Sequence, residues 1–383
     1  MSSHVSRRGF LKAGLAAAAG AGLSAGQAVL PQALHASSGE ELCTVFDLSQ
    51  CIGCEACVDA CREQWQATLP DPVQPIPQPF PARVPIEDWS GQKDVRDRLT
   101  PYNFLYIEHL DIEQGGKSRE LHIPRRCMHC QNPPCTNLCP FGAGRVEDNG
   151  VVHIDPEVCL GGAKCLQVCP WKVPQRQSGV GIYLDILPEY AGNGVMFKCH
   201  RCLPLVKEGK TPRCIEVCPN QVQSIGPRAA QVAKAEALAQ QMAQANGAPE
   251  QWKSHLYGLT ENGGTNTIYV SPTPFPAVNA ALTRLHLEQA AADGPARPGQ
   301  GRGQASKPGG GGQGQGRMLA RSGRPHMGPT ANSMESAENL TLALAIAPLA
   351  GLAAGLGKLF GGVKKLGRAL DAAGKSEHKG GQS

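Results

Sequence analysis

Apolar positions come in short runs rather than long ones. "CTVFDL" (43–48), "NFLYIEHLDI" (103–112) and "GVVHID" (150–155) read as β-strands. Residues 228–246, "RAAQVAKAEALAQQMAQAN", place Ala, Val, Leu and Met at helical spacing and predict a packing helix. The Pro-rich piece "LPDPVQPIPQPFPARVP" (69–85) can form neither ladder nor helix, so it reads as an insertion packed on the surface. Residues 295–333 are rich in Gly and Gln, basic and free of acids, with too few apolar positions to bury, which predicts a disordered tether. Residues 340–357, "LTLALAIAPLAGLAAGLG", carry no charge and reach the length of a membrane-crossing helix; an interfacial helix is the alternative. Lys358, Lys364, Lys365 and Arg368 follow this run and Glu335 and Glu338 precede it, an asymmetry that would keep the basic side in the cytoplasm.

The amino terminus changes the compartment. "SRRGFLK" (6–12) followed by the uncharged run 13–34 has the form of a twin-arginine export signal, with cleavage expected after Ala36. That pathway carries proteins already folded around their cofactors. The formal charge of +5 then misleads, because removing Arg7, Arg8 and Lys12 leaves +2. Nucleic-acid binding loses its electrostatic basis.

Fifteen of the sixteen cysteines fall in four groups between Cys51 and Cys218, and Cys43 stands apart. The groups are Cys51, Cys54, Cys57 and Cys61; Cys127, Cys130, Cys135 and Cys139; Cys159, Cys165 and Cys169; and Cys199, Cys202, Cys214 and Cys218. Three of them end in Cys-Pro. Disulfides are the ordinary reading of an even cysteine count in an exported chain, but export in the folded state argues against them. In the run C-x2-C-x2-C-x3-C-P, three thiolates wrap three corners of an iron–sulfur cube, and the fourth belongs to a neighbouring cluster, so groups come in twos. Zinc, the alternative for any lone C-x2-C, does not explain four successive groups with this ending. Group three keeps the register of Cys159, Cys165, Cys169 and Pro170 but has Gly162 in place of the second cysteine. A [3Fe-4S] cluster, a [4Fe-4S] cluster with a non-cysteine ligand and an empty site all remain open there. Cys43 reads as a plain buried cysteine.

With these four groups the chain resembles the four-cluster ferredoxin-type iron–sulfur electron-transfer subunits of bacterial oxidoreductases, the dimethyl sulfoxide, polysulfide and nitrite reductase family, over about residues 40–230. Within that family it is most similar to periplasmic hydrogenase-2 electron-transfer subunits, through the export signal, "CPWKVP", "HLYGLTENGGT" and the hydrophobic carboxyl-terminal run. The resemblance implies an α+β fold of two paired bacterial ferredoxin-like (double-cluster) units with insertions, plus a C-terminal hydrophobic helix. The outer groups (43–61 with 199–226) would pair with each other, and the inner groups (120–175) likewise. On that pairing, cluster 1 takes Cys51, Cys54, Cys57 and Cys218, and cluster 2 takes Cys199, Cys202, Cys214 and Cys61. Cluster 3 takes Cys127, Cys130, Cys135 and Cys169, and cluster 4 takes Cys159, Cys165 and Cys139. Iron would be held through these cysteines as three [4Fe-4S] clusters and one [3Fe-4S] or non-cysteinyl-ligated [4Fe-4S] cluster.

The chain divides into a signal peptide (1–36), a four-cluster domain (37–275), a connecting helix or linker (276–294), the basic tether (295–333), a membrane anchor or interfacial helix (338–370) and a tail (371–383). The expected function is an electron relay on the periplasmic side of the bacterial inner membrane. Its expected partners are the twin-arginine translocase, a catalytic subunit, with nickel–iron hydrogenase favoured, and an integral membrane quinone-reactive subunit. A molybdopterin reductase or a sulfur-metabolism complex would use the same relay. No catalytic residue is expected. The contrasting reading is a self-contained enzyme using the ligand-poor cluster as a Lewis acid, for which His153 and Lys164 are the acid–base candidates.

Overall fold

The computed structural model describes residues 40–82, 84–114, 117–292 and 323–335. The expected export signal (1–36), anchor (338–370) and tail (371–383) lie outside the described residues. Along the chain run β1 (Leu42–Asp47), α1 (Ala56–Trp65), β2 (Tyr106–Gln114), β3 (Lys117–Arg125), α2 (Pro134–Asn137), β4 (Gly144–Val146), β5 (Val152–Ile154) and α3 (Lys164–Val168). There follow β6 (Gln175–Gln177), α4 (Tyr183–Ile186), β7 (Val195–Phe197), α5 (Leu203–Lys207), α6 (Arg213–Glu216) and β8 (Gln223–Pro227). α7 (Arg228–Ala245), β9 (Leu256–Tyr257), β10 (Thr267–Val270) and α8 (Phe275–Ala292) complete the order. The mixture is α+β, and most of the cysteine-bearing helices are short.

One four-stranded sheet, β8-β1-β10-β9, ties the ends of the cysteine-bearing region together, with β1 parallel to β10 and antiparallel to β8. Strand alternation splits its residues between two cores. Cys43, Val45, Ile268 and Val270 face α7, whose Ala235 and Ala239 are small enough to let the helix lie close. The Cys43 thiol packs there with no exposure, donates to the Thr44 carbonyl at 3.8 Å and is pushed up to about 11 by burial, as a plain core cysteine. Phe46 and Tyr269 face the main core and stack with ring centres 4.7 Å apart.

β2 and β3 form a long hairpin with His109 opposite His122 and Asp111 opposite Glu120. Its inner face carries Leu110, Ile112, Leu121 and Ile123, and α8 lies against β2. His286 of α8 meets Glu108 at 2.8 Å with both side chains 2% exposed. The Pro-rich insertion packs as expected on irregular chain: Val73 N–H donates to Gly179 O, and Asn193 brackets the Phe80 backbone from both sides.

Of the connecting helix or linker expected over 276–294, the helix is what forms: α8 packs Phe275, Val278, Ala281 and Leu282 into the main core. One expectation about the carboxyl-terminal region needs correction. The tether expected over 295–333 is not a tether in its last part, since 323–335 packs as a strap. Leu99 N–H donates to Gly323 O, the Arg324 guanidinium reaches Asp97, and Arg125 Nη2 donates to Pro325 O and His326 O at 2.6 and 3.0 Å. Tyr257 OH donates to Gly328 O, and Met327 is 1% exposed within the main core. Most of these bonds are made by or to backbone groups, which a reading of apolar content does not register. Met327→Ala is expected to destabilise the protein by roughly 2–5 kcal/mol, the range for deleting a buried methionine side chain. Thermal unfolding followed by circular dichroism checks this; an unchanged transition would show that the strap does not support the core.

Candidate functional site: four thiol sites

The four cysteine groups share one local conformation. The residue two positions after each first cysteine has a left-handed backbone: Gly53 (φ 68°), His129 (φ 47°), Gly161 (φ 63°) and Arg201 (φ 51°). In each group the N–H of that residue turns back onto the first thiol. It lies 3.5 Å from Cys127 Sγ for His129 and 3.4 Å from Cys199 Sγ for Arg201, and Gly53 and Gly161 make the same bond to Cys51 and Cys159. An amide aimed at sulfur favours thiolate over thiol. Group three therefore has the cysteine loop in full, although Gly162 replaces its second cysteine.

The structure brings thiols from different groups together. Cys51, Cys54, Cys57 and Cys218 line one cavity, where α1 packs against α6. Cys61, from the same helix as Cys57, faces Cys199, Cys202 and Cys214 instead. Cys127, Cys130, Cys135 and Cys169 line a second cavity. Cys159 faces Cys139, and Cys165 faces Cys159. These make a first, second, third and fourth site in that order, because Cys57 of the first faces Cys214 of the second and Cys165 of the fourth faces Cys135 and Cys169 of the third. No disulfide joins any of the sixteen cysteines. Burial, then crowding by neighbouring thiols, pushes Cys57, Cys61 and Cys130 well up, and burial raises Cys214 and Cys169 to about 12. Metal binding to such thiols releases their protons, which is how binding and folding become linked.

Cationic and polar groups that the cysteine spacing did not single out fill the space between sites. Arg126, buried on all sides, donates from Nη1 to Cys214 Sγ at 3.4 Å and lies over the Phe46 ring at 4.9 Å. Its Nε and Nη2 find no hydrogen-bond partner among the described residues, so its donor set suits an anionic group beyond the thiol itself. Lys198 donates to Cys127 Sγ at 3.5 Å, Val152 O at 2.5 Å and Cys199 O at 3.2 Å, which puts its charge between the second and third sites. Burial lowers its pKa, and the facing Cys127, Cys135 and Cys199 more than restore it. His129 Nδ1 accepts from Val152 N–H at 3.1 Å, so the neutral ring carries its proton on Nε2, 3.9 Å from Cys199 Sγ. Burial and nearby cations hold that ring well below its usual pKa. Arg201 donates to Leu42 O and Asn266 O, both at 2.6 Å, and ties group four to the sheet. The sequence did carry a signal for these residues, because "RRCMHC" and "FKCHRC" set basic side chains directly beside first cysteines.

The fourth site differs at one corner. A Cβ on Gly162 would stand 3.0 Å from Cε2 of Phe141, whose half-exposed ring lies over that position. His153, an acid–base candidate for this site, is engaged by Glu147 at 2.8 Å, and Lys164 stands at the start of α3.

The donor set, the amides aimed at sulfur and the buried cations fit iron–sulfur clusters, and comparison with known proteins agrees. Two family profiles described as 4Fe-4S dicluster domain match residues 50–143 and 119–228, which between them take in all four groups. The chain is a ferredoxin-type iron–sulfur protein. It is 28% identical over 307 residues to the Hydrogenase-2 operon protein HybA of Escherichia coli O157:H7, covering 71% of this chain and 82% of the relative. A sulfite dehydrogenase subunit of Allochromatium vinosum is 28% identical over 49% of this chain and 68% of its own length. A component of the anaerobic dimethyl sulfoxide reductase of Escherichia coli K12 is 29% identical over 48% of this chain and 71% of its own.

Replacing Lys198 by Met keeps the volume of this iron–sulfur protein's interior and removes one buried charge. Reduction adds negative charge, so Lys198→Met is expected to lower a midpoint potential by roughly 60 mV or more, a tenfold change for one electron. Potentiometric titration followed by EPR checks it. Unchanged potentials would mean that the ammonium group does not act on either neighbouring site.

Proposed function

We propose that the chain relays single electrons between a catalytic oxidoreductase subunit and an integral membrane quinone-reactive subunit on the periplasmic side of the inner membrane. The observation that carries the reading is the serial order of the four thiol sites, with the two end sites near the surface. Cys54 of the first site is exposed beside Ile52, which is 60% exposed, and Phe141 and Leu138 stand exposed beside the fourth. Exposed apolar side chains at both ends suit docking of two different partners. The inner sites are wrapped in buried segments, where Arg126 and Lys198 offset negative charge and the neutral His129 ring directs an N–H at sulfur.

The first three sites would each hold a [4Fe-4S] cluster through four cysteines, and the fourth a [3Fe-4S] cluster through Cys139, Cys159 and Cys165. Bound there, the clusters would supply one-electron redox chemistry. The complete loop at Gly161 supports a loaded fourth site over an empty one, and the Phe141 ring over Gly162 supports three iron atoms over a fourth with an outside ligand. The "SRRGFLK" segment supports export through the twin-arginine translocase, and the uncharged run 340–357 supports attachment to the membrane. Nickel–iron hydrogenase is the favoured catalytic partner, because the similarity extends over more of this chain for the hydrogenase-2 relative than for the sulfite dehydrogenase and dimethyl sulfoxide reductase relatives.

The oxidised protein is expected to show the EPR signal of one three-iron centre. Gly162→Cys combined with Phe141→Ala is expected to abolish that signal and add one iron per chain. Four diamagnetic centres in the unmodified oxidised protein would remove the three-iron assignment. Metal analysis of the complex isolated with this chain tests the partner: nickel is expected, and molybdenum would transfer the relay to a molybdopterin enzyme. Turnover of a substrate by the isolated chain would overturn the relay itself.

A further inference from the structure

The outer face of the β2–β3 hairpin carries chemistry that none of the four thiol sites uses. His109 and His122 stand opposite each other across the strands with their Nδ1 atoms 3.0 Å apart. Two imidazole nitrogens at that separation need something between them, either a shared proton or a metal ion, because two lone pairs repel. Glu120 lies on the same face, its carboxylate 3.6 Å from His122 Nε2, and one ligand atom from each of the three residues falls within 4.8 Å of the others. Directly across from Glu120 is Asp111, so the strand pair sets two exposed carboxylates opposite each other. Like charges so placed destabilise a hairpin unless a cation lies between them.

We propose that this face binds one zinc ion through His109, His122 and Glu120. The donor set is two imidazoles and a carboxylate, borderline and hard ligands that suit zinc and leave a fourth position for water. Tetrahedral zinc with ligands at about 2.0–2.1 Å requires donor atoms roughly 3.3 Å apart, close to the spacing of the two imidazoles. Glu120 is 66% exposed, and a rotation of its side chain completes the set. Glu55 also approaches, 3.9 Å from His109 Nε2, but it is held by Arg96 at 2.6 Å and serves as a neighbour rather than a ligand.

The position links this site to the first thiol site. His122 packs on Gly53, where an added Cβ would stand 2.9 Å from the ring, so the zinc would rest against the loop that carries Cys51 and Cys54. Gly53 has the left-handed φ of 68° that this loop requires, and its missing side chain leaves the space that the imidazole fills.

The test uses the full chain with its iron loaded, incubated with zinc chloride, desalted, and analysed for zinc and iron together with zinc K-edge absorption. One zinc per chain with nitrogen and oxygen donors at about 2.0–2.1 Å is expected. His109→Ala, at a half-exposed position outside the core, is expected to weaken zinc binding at least roughly tenfold with the iron content unchanged. His109→Ala with His122→Ala should abolish it. Zinc lost on desalting, zinc with sulfur donors near about 2.3 Å, or undiminished zinc in His109→Ala would each overturn the site. The sulfur result would identify zinc in place of iron at a cysteine group instead.

Discussion

The turn of a backbone amide onto the first thiol of each cysteine group is the constraint on which the rest of the structure depends. It demands a left-handed residue at a fixed position, which glycine adopts freely and other residues adopt at a cost on the order of 1–3 kcal/mol. Gly53 and Gly161 meet the demand directly. His129 and Arg201 meet it because each is held from several sides: His129 O accepts from Asn266 N–H and its ring accepts from Val152 N–H, while Arg201 is bound to two backbone carbonyls. The sheet thus does more than close a core. Through Asn266 and Leu42 it holds two strained loops in the conformation their thiols require.

Putting so many thiolates in one small interior raises an electrostatic difficulty, and the cations are arranged to meet it. A buried ion without a partner costs several kcal/mol. Arg126 and Lys198 face sulfur, and the sulfur sites are themselves tolerable only with such cations nearby. Each is therefore a condition for the other. The neutral imidazole of His129 has a different part: it directs an N–H toward Cys199 without adding another charge between Arg126, Lys198 and Arg201.

The legible part of this protein was the part whose signal is local. Metal-ligand spacing runs over short stretches of chain, so the four groups and their shared register could be read directly, as could β1, β2 and α7 from their periodicity. What lay beyond reach was set by contacts distant in sequence. α8 is given its role by partners distant in sequence: His286 meets Glu108 of β2, Phe275 packs on Tyr257, and Asn279 accepts from Met327 N–H. The 323–335 strap contains few apolar residues, and its place is decided by hydrogen bonds that Arg125, Tyr257 and the Asn262 N–H donate to its carbonyls and that Ser333 donates to Asn262 Oδ1. Composition marked this segment as a poor core former, and could show neither that Met327 enters the main core nor that other segments had donors waiting for it. The basic residues beside the cysteines were visible, yet their burial depends on the four groups folding over one another.

Group three shows how sharply a local substitution can be confined by such a framework. If Gly162 reflected decay of the group, the loop around it would be free to relax, and the left-handed turn at Gly161 with its amide on Cys159 would have no reason to persist. Instead the turn is kept and Met196 adds a second amide to the same sulfur at 3.4 Å. The change is restricted to one corner, and the space there is taken by Phe141, which follows Cys139-Pro140 and so is carried by the same segment as one of the three remaining thiols. The missing thiol and the aromatic cover are therefore coupled through the chain itself: whatever orients Cys139 toward the site also brings the ring over residue 162. A thiol could be placed at residue 162 only by moving a side chain whose position is tied to the thiols already gathered there.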